Sequence, residues 1–116
     1  MAAPEEALAQ LDPYEKGEEF FQADDLNAAR VAWFPLARAG DIRAIASLNQ
    51  LFHLKGGTAA EIAELTALTM RAATPVENWE AQFELAYLYL RGHGVPRDVE
   101  KGMGMLRLAA ERGRAE

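Results

Sequence analysis

Apolar residues recur along this chain at intervals of three and four, and the runs they form are bounded by capping residues, glycine and proline. That pattern predicts amphipathic helices. Alanine and leucine fill the runs, and β-branched residues never cluster as strands would require. The first run starts at Asp12-Pro13, an N-cap with proline at the first helical position. The second, "DDLNAARVAWFPLARAG", starts at Asp24 and Asp25 and stops at Gly40. Pro35 lies inside it, where the missing backbone donor predicts a kink. "DIRAIASLNQLFHLKGG" follows, from Asp41 to the Gly56-Gly57 pair. The fourth run opens on Thr58 with Glu61 three positions later, a capping box. "ENWEAQFELAYLYLRGHG" and "RDVEKGMGMLRLAAERG" complete the set, and the chain reads as all-α.

These helices repeat. Shifting the chain by 37 positions without gaps lays Ala44 on Ala81, Leu48 on Leu85 and Phe52 on Tyr89 (81 − 44 = 37). The same shift lays Gly57 on Gly94, Glu61 on Asp98, Ile62 on Val99 and Ala72-Ala73 on Ala109-Ala110. Equivalent residues keep helical spacing on both sides of a loop, so the unit is a helix–loop–helix pair. Asp25 to Gly40 aligns more loosely with Asp98 to Gly113, behind a loop about four residues shorter. Gly17, Phe20, Ala29 and Trp33 fall at tetratricopeptide spacing in this first pair, and Trp33 fits an aromatic core slot. Three helix pairs result.

The segment "AQFELAYLYLRGHGVPRDVEKGMGMLRLAAERG" resembles a complete Sel-one-like repeat. Ala81, Leu85, Ala86, Tyr89, Gly92, Gly94, Val95, Asp98, Ala109, Ala110 and Gly113 occupy that family's pattern, and "FPLARAGD" is also typical of it. Departures are Asn49 in the small-residue slot, Lys55 for the first loop glycine, Val76 for the closing glycine, and Gly102 for the usual alanine. The resemblance implies a right-handed, tetratricopeptide-like α/α solenoid. It would be one domain over residues 1–116 with units at about 5–40, 41–77 and 78–116. It further implies a non-enzymatic adaptor for a protein or peptide, often in signalling or envelope-associated assemblies, with first helices lining a concave face. Leu48, Phe52, Leu85, Ala86 and Tyr89 should then point inward. The partner-binding face should carry Tyr14, Glu18 and Phe21, then Arg43, Ala46, Gln50 and His53, then Glu80, Phe83, Tyr87 and Leu90. Phe83 and Tyr87 also fit packing between units, and Trp79 opens a first helix. The alternative reading is a self-associating assembly module, or a piece of a longer array. In that reading Met105, Leu106 and Ala109 form the face that a further unit or a second copy would cover.

Charge and composition narrow the partners. A net charge of −6 disfavours nucleic acid and anionic membrane surfaces, both of which call for a basic footprint. No cysteine is present, which removes disulfides, thiolate zinc sites and cysteine nucleophiles and leaves the compartment, cytoplasmic or periplasmic, open. No apolar run approaches a membrane span, and Glu5-Glu6 stand where a signal peptide would be apolar. Ser47 is the only serine and has no motif around it. The pairs Glu5-Glu6, Glu18-Glu19 and Asp24-Asp25 are adjacent in sequence, so they diverge on a helix and do not make an acid–base pair. "RGHGVPRD" raises three possibilities: a phosphate cradle, a metal loop or a connector. No strand precedes it and His93 has no second histidine at ligand spacing, so the connector is expected and no cofactor or metal is assigned.

Overall fold

The computed structural model describes residues 9–75 and 78–115, the last two of these in backbone only. Val76, the expected departure at the closing-glycine slot, lies outside the described residues. Among the described residues the chain is all-α with no strand, and its six helices follow one another in helix–turn–helix succession. They are α1 (Pro13–Gln22), α2 (Leu26–Arg38), α3 (Ile42–Lys55), α4 (Ala59–Ala73), α5 (Trp79–Arg91) and α6 (Val99–Ala115). The chain divides into two compact units, 1–48 and 49–116, and the division falls within α3.

Side-chain caps start the helices, at Asp12, Asp25 and Thr58 where the sequence predicts and also at Asn78. Asp12, Asp25 and Asn78 accept from the backbone amides of Glu15, Ala28 and Ala81, and Thr58 and Glu61 form the full capping box. Asp98 accepts from the Lys101 amide at 3.0 Å. Each bond satisfies a helix-end donor that has no partner within the helix. Pro35 sits inside α2, where it withdraws one backbone donor.

In the first unit α1 packs on α2 around Trp33. The indole is 3% exposed, donates from Nε1 to the Tyr14 carbonyl at 3.1 Å, and lies between the rings of Tyr14 and Phe21. Gly17 faces this indole so closely that a Cβ there would fall on the ring.

In the second unit α5 packs on both α4 and α6. Phe52, Leu65, Leu88 and Ala86 are buried in it. Gly102, on α6, meets α5 at backbone distance. A Cβ there would lie 2.9 Å from the Ala86 carbonyl oxygen and 2.8 Å from Leu90 Cγ. Glycine in place of the usual alanine therefore lets the pair close more tightly. Gly113 does not end α6 as the alignment suggests; the helix continues through Ala115, and Gly113 rests against the Trp79 ring.

The loop between α5 and α6 is a connector. Gly92 caps α5 in the left-handed conformation, and Gly94 is also left-handed. The amides of Gly92 and His93 bond to the Leu88 carbonyl and that of Asp98 to the Tyr89 carbonyl, so these donors serve the helix end and not an anion. The aligned loop after α3 differs. Lys55 prolongs the helix by one residue, and the left-handed position falls on Gly56 instead of Gly57.

Two glycines of one helix make opposite predictions. Gly104→Ala, into open space, should stabilise the protein by about 0.8–1 kcal/mol through helix propensity. Gly102→Ala should destabilise it by about 1–3 kcal/mol despite the same propensity gain, because the helices must separate. Urea unfolding of the two variants beside the parent measures both.

Candidate partner-binding face

The outward side of α5 is set by the residues the helix buries. Ala81, Ala86 and Leu88 go inward, which turns Glu80 and Tyr87 out and leaves Phe83, Glu84 and Leu90 half-buried. Tyr87 is 38% exposed, and the Arg91 guanidinium lies 5.1 Å from its ring centroid. Phe83 meets Trp79 edge-on at 6.0 Å. Leu90 is half-buried because Gly102 of α6 presses against it. On α3, Gln50 and His53 are exposed. Leu85 and Tyr89, expected inside, are only partly so, whereas Leu48 and Phe52 are fully buried.

The first-unit candidates have their own setting. Tyr14 is half-buried against Trp33, and its hydroxyl pairs with Ser47 Oγ at 2.9 Å. Arg43 lies 4.6 Å over the Tyr14 ring and grips Asp41 through Nε and Nη2. Those bonds hold the Asp41 carboxyl below its ordinary range. Phe21 packs beside Trp33 and is half-buried, Ala46 is half-buried, and Glu18 is exposed.

Two residues of the second unit were not assigned to the face by pattern. Asn49 is 4% exposed, and its Nδ2 donates to Thr69 Oγ1 at 3.2 Å and to Glu84 Oε1 at 3.5 Å. Thr69 in turn donates to the Leu65 carbonyl at 2.8 Å. This buried polar chain ties α3, α4 and α5 together. The only hint in the sequence was a polar residue in a slot otherwise held by a small one, since a buried amide needs partners. Glu84 ends the chain, and burial raises its carboxyl above the ordinary 4.5, with the Asn49 bond acting in the opposite direction.

His93 is lowered from its ordinary value by burial, then by His53 and Arg91. Its Nε2 is buried without a hydrogen-bond partner among the described residues, which favours the neutral ring. Among the described residues no group of three or more histidine, aspartate or glutamate side chains is placed to hold a metal ion, and no helix is long and apolar enough to cross a membrane.

The C-terminal face differs from expectation. Ala109 is buried at 1% exposure, because with Gly102 it lies on the side of α6 turned to α5. Met105 and Leu106 are half-buried. The large apolar residues left exposed are Val99 (44%), Met103 (45%) and Leu108 (45%). At about 100° per residue, Leu108 lies opposite Val99 and Met103, so these three do not form one stripe.

Residues 79–113, covering α5, the loop and most of α6, match the family model of the Sel1 repeat. The match falls on the segment whose residues resemble that repeat, and Sel1 repeats commonly mediate protein–protein interaction and are generally non-catalytic. No curated protein and no solved structure matches the chain.

The Glu84 shift carries a sign. Its folded value lies above its unfolded value, so the fold binds the proton more tightly. The cost of the buried charge is complete above the folded value and disappears as pH falls through it towards 4.5. Relative to Glu84→Gln, the parent should therefore gain stability over that descent. Urea midpoints of both proteins at neutral and mildly acidic pH test this; equal pH dependence would contradict the shift.

Proposed function

We propose that the chain is a non-enzymatic adaptor that binds a protein or peptide segment on the outward face of its first helices, with the three helix pairs acting as one repeat domain. The observation that carries this is the α5 surface, where an exposed tyrosine and a half-buried phenylalanine adjoin Glu80 and Glu84. Aromatics beside polar groups are the composition of energetically important binding surfaces. Gln50 and His53, both exposed on α3, are proposed as the polar part of the binding face in the second unit. Tyr14, Glu18, Phe21 and Arg43 are proposed as the first unit's share. The partner class is protein, which agrees with a net charge of −6 that disfavours nucleic acid. Phe83→Ala with Tyr87→Ala should weaken capture of a native partner by about tenfold or more while helicity by circular dichroism stays nearly unchanged. Undiminished capture would remove the face.

A second reading, self-association through α6, is favoured by the exposure of Val99 and Met103 on one side of that helix. Light scattering over a concentration series separates the two. In this reading mass rises with concentration, and Met103→Glu abolishes the rise. A mass that stays monomeric throughout removes it.

A further inference from the structure

Glu84 is a half-buried carboxylate without a counter-ion. Its Oε1 accepts one long bond, 3.5 Å, from Asn49, whose amide is also committed to Thr69. Its Oε2 receives no hydrogen bond from a described residue, and no described cation pairs with it. Arg91, the cation whose field it feels, stands two turns away on the same helix, drawn over the Tyr87 ring. A buried charge is ordinarily paired, and one left unpaired is a standing cost that an incoming cation relieves. Asn49, fixed from behind by Thr69, steadies one carboxylate oxygen and leaves the other free.

We propose that Glu84 is the specificity position of the α5 face and takes a cationic side chain, arginine in type, from the bound protein segment. The assignment rests on the reading of α5 as a binding face. Arginine fits better than lysine for physical reasons. Its planar fork matches a carboxylate, it is more weakly hydrated than an ammonium, and it stacks on aromatic faces, of which α5 carries Phe83 and Tyr87 one and three positions from Glu84. The raised carboxyl agrees with this, since burial outweighs the lowering by the Asn49 bond and by the distant Arg91 charge.

A random-peptide display library selected on the whole chain at low ionic strength, followed by affinities of the selected synthetic peptides, tests the proposal. The expected result is enrichment of arginine. Binding should weaken with salt and fall at least about tenfold on Glu84→Gln. The thermal midpoint of that variant should be no lower than the parent's, which separates lost recognition from lost fold. Selected peptides without basic residues, or peptides bound equally by Glu84→Gln, overturn the assignment. If such peptides still lose binding on Phe83→Ala with Tyr87→Ala, the face stands and only the role of Glu84 falls. Failure of the library to enrich any peptide overturns both.

Discussion

Two helices can pack closely only where one of them carries little side chain at the crossing, and this steric constraint governs both ends of the chain. In the first unit Gly17 lies against Trp33, and the indole in turn fixes Tyr14 and Phe21. In the second, Gly102 brings α6 to the backbone of α5 at Ala86. A mid-helix glycine weakens a helix taken alone. Here the packing it permits outweighs that loss, and propensity yields to tertiary contact.

Closure of the second unit determines what α5 can present. With Ala81, Ala86 and Leu88 turned inward, Phe83, Glu84 and Tyr87 are left on the accessible side. The Asn49–Thr69 chain then holds Glu84 from behind. Rigid support behind a partly desolvated charge is an arrangement suited to recognition, because little ordering remains to be lost when a partner arrives. The glycine-histidine loop is arranged by local bonds instead. Its amides complete the end of α5, and burial lowers the pKa of its histidine.

Helix positions were legible from the sequence because they depend on local chemistry. Asp12-Pro13, Thr58 with Glu61, and Gly92 fix their boundaries within a few bonds. The 37-position repeat placed Leu48 and Phe52 in the interior, and Leu88, which aligns with Leu51, was available from the same shift. Less legible were features set by contacts distant in sequence. Gly102 and Asn49 read only as departures from the repeat pattern; Ala86 opposite the first, and Thr69 and Glu84 around the second, account for them. Gly113 read as a helix stop, yet the alignment with Gly40 carried no information about the helix continuing past it. Pattern also placed Ala109 on an open face, since periodicity gives the stripe of a helix but not which neighbour covers it.

The central claim is that recognition belongs to the outward side of α5, and the most direct measurement is NMR mapping of a bound partner or selected peptide on side-chain and amide resonances. The account predicts the largest shifts at Phe83, Glu84 and Tyr87, with Asn49 responding behind them. Shifts confined to Val99, Met103 and Leu108 on α6, with α5 unchanged, would contradict it.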